Sequence, residues 1–142
     1  MRVLQIFLFI GTLIACVISC ENRLCGCSPA PGDPKLSGRW ELVKIKYGLT
    51  GVTATAQQAG YTETLTFSMD GSFQRIKNGQ EAEKGAYNIG TSHNEVPYPT
   101  AIVYNDKTIQ PYQVKQDTLF LYERGPANAT VADGSTYTYH KL

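Results

Sequence analysis

Cysteine is missing from residue 36 to the C-terminus, since all four cysteines fall before residue 28. A domain built from residues 36–142 therefore holds without disulfides, and its apolar side chains must pack closely enough to offset chain entropy. Surplus charge is missing too. The chain carries 13 Lys and Arg against 12 Asp and Glu, and loss of residues 1–19 removes only Arg2, leaving 12 against 12. Binding a polyanion needs a basic excess, so nucleic acid is excluded as a main partner. Histidine is scarce: His93 lies in a loop and His140 in the last strand-like run. Neither forms a metal pair by spacing, and Ser92 beside His93 lacks the nucleophile elbow and oxyanion donors of a triad. No Gly-rich phosphate loop, internal repeat or sustained helical period is found. The sequence thus predicts no metal, no cofactor and no catalytic residue, and a protein that binds rather than catalyses.

What is present begins at the N-terminus. Arg2 precedes an apolar run from Val3 to Val17, broken only by Gln5, Gly11 and Thr12, and ending in Val17-Ile18-Ser19-Cys20. The run is too short and wrongly flanked for a stable membrane span and reads as a secretory signal. Its last four residues resemble the lipobox of bacterial lipoproteins. That resemblance implies cleavage before Cys20, a diacylglycerol on its thiol and a fatty acid such as palmitate on the new amine. Leu13-Ile14-Ala15-Cys16 fits the same pattern, but polar chain (Glu21, Asn22, Arg23) begins only after Cys20. An ordinary signal peptide releasing a soluble product is the alternative. Each buried methylene contributes about 0.8 kcal/mol, so one acyl chain binds reversibly whereas two or more anchor stably. Glu21 after the lipidated cysteine, where the family's inner-membrane members carry Asp, favours the outer membrane. Which side of it the protein faces, periplasm or exterior, is left open.

Residues 20–35 read as the lipidated cysteine and a flexible spacer, with Pro29, Pro31, Gly32 and Pro34 and little that forms a core. A spacer of this length reaches roughly 20 Å as a flexible chain. Cys25 and Cys27 within it allow a local disulfide, half of a soft-metal site, or no role beyond being tolerated in a spacer.

From Leu36 onward, short branched and aromatic runs alternate with turn signals every eight to twelve residues, the cadence of an all-β sandwich or barrel. Trp40–Tyr47 opens the series, with Trp40 and Leu42 on one face and Val43, Ile45 and Tyr47 on the other. Gly48–Gly60 is looser and has room for one short helix. Residues 61–67 place Tyr61, Leu65 and Phe67 on a shared face. Asp70-Gly71 and Asn78-Gly79 supply hairpin turns on either side of Phe73–Lys77, and the chain returns through Glu83–Ile89. Thr100–Tyr104, Thr108–Val114, Thr118–Tyr122 and Ser135–Lys141 complete eight strands in meander order. Eight sequential antiparallel strands remove their exposed edges by closing into a barrel, wide enough for side chains or one small ligand.

Several motifs then fall into a recognisable order. Gly38-Arg39-Trp40 resembles the Gly-x-Trp opening of lipocalins. Leu65 to Phe73 is similar to the LTF-x-x-DG-x-F hairpin of bacterial lipocalin-like domains. Gly85-Ala86-Tyr87-Asn88-Ile89, Asp117-Thr118-Leu119-Phe120-Leu121 and Tyr137–Lys141 match further strands of that group. The resemblance covers nearly all of residues 36–142 and implies a small eight-stranded antiparallel up-and-down barrel on a membrane-anchored envelope protein. It also implies that Trp40 plugs the closed end, with Lys141 (or His140) where the family carries Arg. Small domains related to heat-shock lipoproteins share the Gly-x-Trp and LTF features, but carry Gly-Cys-Asn where this chain has Lys84-Gly85-Ala86.

In such a barrel Trp40, Leu42, Leu65, Phe67, Phe73, Tyr87, Ile89, Leu119, Leu121, Tyr137 and Tyr139 point inward. The candidate residues for a small hydrophobic ligand are Leu65, Phe67, Phe73, Arg75, Tyr87, Leu121, Tyr137 and Tyr139. Arg75, with Glu63, is placed to neutralise a ligand head group or to face solvent. The competing expectation is a fully packed barrel that presents the loops 48–60, 90–99 and 124–134 to an envelope protein partner.

Overall fold

A computed structural model describes residues 32–92, 97–129 and 131–142. The signal sequence, Cys16, Cys20, Cys25, Cys27 and His93 lie outside the described residues. The elements are β1 (Gly38–Lys46), β2 (Thr53–Thr55), the single-turn helix α1 (Ala56–Ala59), β3 (Glu63–Phe67), β4 (Ser72–Lys77), β5 (Gln80–Thr91), β6 (Thr100–Tyr104), β7 (Thr108–Lys115), β8 (Thr118–Tyr122), β9 (Gly125–Pro126) and β10 (Thr136–Lys141). Omitting the short β2 and β9, each strand pairs antiparallel with the next, and β10 returns to pair with β1. The result is the closed eight-stranded up-and-down barrel that the meander of alternating runs predicts.

Local chemistry explains the hairpins. Asn78 and Gly79 both adopt positive φ, 52° and 76°, as a two-residue turn matched to strand twist requires. At Asp70-Gly71 only Gly71 is left-handed (φ 82°), and the Asp70 carboxylate accepts from the Ser72 backbone and hydroxyl. Thr55 and Gln58 form a reciprocal capping box on α1, and Gly60 ends it in the left-handed conformation. Ala56 and Ala59 pack against the core from the helix.

One strand departs from simple alternation. Leu42 faces Tyr139 and Lys44 faces Thr138, so Val43 is an extra residue in β1. This bulge turns Ile45 inward beside Trp40 and Leu42, while Val43 faces out: their exposures are 2% and 45%. The expectation that Val43, Ile45 and Tyr47 share the opposite face is therefore corrected, because a bulge resets the period of two.

Leu36, Trp40, Leu65, Phe67, Phe73, Tyr87, Tyr104, Leu119 and Leu121 belong to one buried cluster. Edge-on ring contacts run through it, Phe67 to Tyr87 at 5.2 Å and Phe73 to Tyr104 at 4.8 Å between centroids. At the closed end, Trp40 Nε1 donates to the Leu36 carbonyl at 2.7 Å. Lys141 Nζ stands 5.2 Å from the indole centroid. Gly38 permits that crossing, since a Cβ there would lie 2.8 Å from Lys141 Cε. Residues 32–35, which composition assigns to the spacer, are seated on this end. Tyr112 donates to the Asp33 carboxylate at 2.7 Å, and Gly32 packs beside the Tyr87 hydroxyl and Ser68 carbonyl. The chain therefore meets the barrel at its closed end.

Candidate functional site: a polar chamber at the barrel mouth

The interior changes character toward the opposite end. Side chains alternate along a strand, so residues two apart share a face. On β3 the inward series from the closed end is Phe67, Leu65, Glu63. On β4 it is Phe73, Arg75, Lys77, and on β10 it is Tyr139, then Tyr137. The β3 and β4 series begin apolar and end charged, while β10 presents a tyrosine at both positions. Together with Tyr61, Gln110, Glu123 and Arg124 these mouth-side residues line a cavity of about 180 Å³, the space of roughly six waters.

Its hydrogen bonds are unevenly distributed. Tyr139 donates to Glu63 at 2.6 Å, and Tyr137 donates to Glu123 at 3.2 Å. The Ser135 amide also donates to Glu123. Tyr104 donates to Gln110 at 2.7 Å, and Gln110 passes a hydrogen bond to the Tyr122 carbonyl. Arg124 donates to both oxygens of Glu83 at 2.8 and 3.0 Å and to Asp106 at 2.8 Å, with its guanidinium 3.7 Å from the Tyr104 centroid. Arg75 is the exception. Its ion-pair contacts are 3.9 Å to Glu63 and 3.5 Å to Glu83, longer than good hydrogen bonds. Its Nε is sealed from solvent and has no hydrogen-bond partner among the described residues.

Burial pushes the Tyr139 hydroxyl well above its ordinary range, reinforced by the Glu63 charge and hydrogen bond. Burial and then Glu123 do the same for Tyr137, and burial and then Glu63 raise Tyr61. These hydroxyls stay protonated donors at neutral pH. Burial opposes the Arg75 charge, but Glu63 foremost, with Tyr104, Tyr139 and Glu83, outweighs it and raises the arginine's pKa. The described residues that line the chamber are Tyr, Glu, Arg, Lys and Gln, with no Ser, Cys or His among them. Among the described residues no three His, Cys, Asp or Glu side chains group as a metal site requires.

No protein-family model matches the chain, and no curated protein is significantly similar to it.

The structure divides the sequence-predicted ligand residues into two sets. Leu65, Phe67, Phe73, Tyr87 and Leu121 are packed in the lower core. Arg75, Tyr137 and Tyr139 are brought together at the chamber. Trp40 and Lys141 lie across the closed end. Tyr61, Lys77, Gln110, Glu123 and Arg124 line the chamber without having been singled out. Lys77 and Tyr61 could have been found by extending the alternation of β4 and β3. Glu123 and Arg124 follow β8 in a loop, where no periodic signal aims a side chain.

Proposed function

We propose that the chain is a lipid-anchored, lipocalin-like lipoprotein of the bacterial cell envelope, placed at the outer membrane through Cys20, whose barrel binds a small ligand at its mouth. The observation that carries this reading is a polar chamber above a filled core, with an arginine whose Nε has no hydrogen-bond partner among the described residues. Interlocked Leu65, Phe67, Phe73 and Tyr87 leave the apolar part of a ligand the rings of Tyr61 and Tyr137 to rest on, rather than the barrel's depth. Binding is favoured over catalysis because Glu63 and Glu123 each accept a tyrosine hydroxyl, so neither stands ready as a free base. The chain's point of entry supports the same reading: Gly32 and Asp33 are seated at the closed end, opposite the chamber.

Native mass spectrometry of the full chain, purified from its own membranes, tests the proposal. A reproducible small adduct, lost when Tyr137 and Tyr139 are replaced by alanine, is expected. A uniformly empty barrel would overturn it. A second reading, an envelope interaction module, is favoured by the apolar side chains exposed on the β1–β2 hairpin: Val43, Tyr47, Leu49 (84% exposed) and Val52. A photo-crosslinker at position 49 should then trap one discrete envelope protein in intact cells.

A further inference from the structure

We propose that the chamber selects a small organic carboxylate, with Arg75 as its anchor. This rests on the ligand-binding reading above and names the class of ligand.

A guanidinium carries five N–H donors and no acceptor. At Arg75 the nearby carboxylates are already held by shorter bonds. Glu63 takes the Tyr139 hydroxyl at 2.6 Å, and Glu83 is gripped by both donors from Arg124 Nη1. Arg75 keeps only the longer contacts, and its side chain is 24% exposed. A tilt onto Glu63 would satisfy Nε. The guanidinium instead leaves that atom without a hydrogen-bond partner among the described residues and stands in the chamber's lining. Lys77 adds a second cation at the rim. Its Nζ lies 3.9 Å from the Tyr61 centroid and makes no ion pair among the described residues.

The charges around Arg75 decide what kind of ligand this deficit attracts. Arg124 is committed to Glu83 and Asp106. Counted together, Arg75, Lys77 and Arg124 stand against Glu63, Glu83, Asp106 and Glu123, one negative charge in excess, so the deficit at Arg75 is one of hydrogen bonding and not of charge. The carboxylates have tyrosine or backbone donors, whereas Arg75 Nε has no hydrogen-bonded acceptor and Lys77 no ion pair among the described residues. A ligand that brings acceptor oxygens corrects the imbalance, and a charged acceptor does so about twice as strongly as a neutral one. A planar carboxylate also matches the guanidinium fork. Size sets the remainder: a cavity of roughly 150 Å³ accommodates one benzene ring, so about 180 Å³ with an open mouth suits one ring or a short chain bearing one carboxylate.

The test titrates the full chain in detergent with benzoate, benzamide and benzylamine at constant ionic strength, following chamber resonances by NMR and heat by calorimetry. Benzoate should bind saturably, at least tenfold tighter than benzamide or benzylamine. Arg75→Gln should weaken benzoate at least tenfold, Arg75→Lys less, and Lys77→Gln two- to threefold. If Arg75→Gln does not fold, the comparison of benzoate with benzamide on the unmodified chain decides. Equal binding of benzoate and benzamide, or unchanged benzoate binding by folded Arg75→Gln, overturns the carboxylate assignment while leaving the ligand chamber intact. Absence of any response to all three probes overturns both.

Discussion

Replacing Arg124 with leucine should cost the fold about 3 kcal/mol, built from charge-assisted bonds and a ring contact discounted for exposure. The reason lies in the barrel wall. Residues 80–86 of β5 pair with β4, and only residues 87–91 pair with β6. Above Tyr104, therefore, no strand hydrogen bonds join β5 to β7. Arg124 spans that gap, bonded to Glu83 on β5, to Asp106 and Thr108 at the start of β7, and stacked on Tyr104. The Glu83 fork is assigned about 1 kcal/mol, since that side chain is a third exposed, and Asp106 about half that, being half exposed. Stacking on a buried ring adds about 1 kcal/mol, and loss of the packed stem supplies the rest. For a domain of this size that corresponds to a fall in Tm of roughly 12 °C. Urea unfolding followed by the fluorescence of Trp40, the single tryptophan, reads the change cleanly. Arg124→Lys should recover less than half, because one ammonium cannot reach Glu83, Asp106 and Thr108 as the three guanidinium nitrogens do. A cycle with Glu83→Gln should give a coupling of about 1 kcal/mol. If Arg124→Leu unfolds within about 0.5 kcal/mol of the parent, the side-chain closure of the wall is refuted.

The bulge in β1 separates two neighbours: Ile45→Asp should cost about 4 kcal/mol or more and Val43→Asp no more than about 0.5, and equal costs in urea would restore simple alternation. Burial keeps Tyr104, Tyr112, Tyr137 and Tyr139 protonated beyond the ordinary value of 10.0. Their unfolded counterparts lose protons first, so stability should fall as pH rises past about 10, by up to about 1.4 kcal/mol per pH unit per tyrosine. A urea midpoint unchanged between pH 9 and pH 11 would contradict this. Cys20→Ser should shift the protein from a carbonate-washed membrane fraction to the soluble one, and retention there would end the lipid-anchor proposal. Finally, the triple variant Glu63→Leu, Arg75→Leu, Tyr139→Phe should match or exceed the parent's stability, as apolar replacement of buried ion pairs commonly does, while losing benzoate binding; a drop of more than about 3 kcal/mol would make the cluster structural.

The strands were legible because alternation and turn chemistry are local. Asn78-Gly79, Gly71 and the runs 100–104 and 118–122 needed no distant information, and closure followed from the meander. The bulge was harder to see. Trp40, Leu42 and Ile45 are spaced by two and then three, and that irregularity is hidden because Val43 is apolar as well. Asp33 was out of reach for another reason. A Pro- and Gly-rich stretch reads as spacer, and the tyrosine that holds it lies 79 residues away. The same limit applies to the chamber. Arg75, Tyr137 and Tyr139 follow from the period of two, whereas Glu123 and Arg124 meet them only once β10 has closed onto β1 and carried the loop after β8 across the mouth.

The polarity gradient is shared by two adjacent strands, and that weighs against accident. A lone inward arginine could be a packing compromise. Here β3 and β4 both change from apolar to polar, one register step apart, beside the tyrosines of β10, although leucine at any of these positions would suit an up-and-down barrel. An unmet donor such as Arg75 Nε costs about 1–3 kcal/mol, a large share of the roughly 5–15 kcal/mol that stabilises a domain. The gradient also has a direction. Residues 32–35 sit on the closed end, so the charged mouth is the end of the barrel opposite the chain's entry. A ligand reaching that mouth from solution would carry a hydration shell that a guanidinium and a lysine can replace. A deep apolar cup would suit a ligand extracted from the bilayer; a shallow, donor-rich chamber suits one captured from solution.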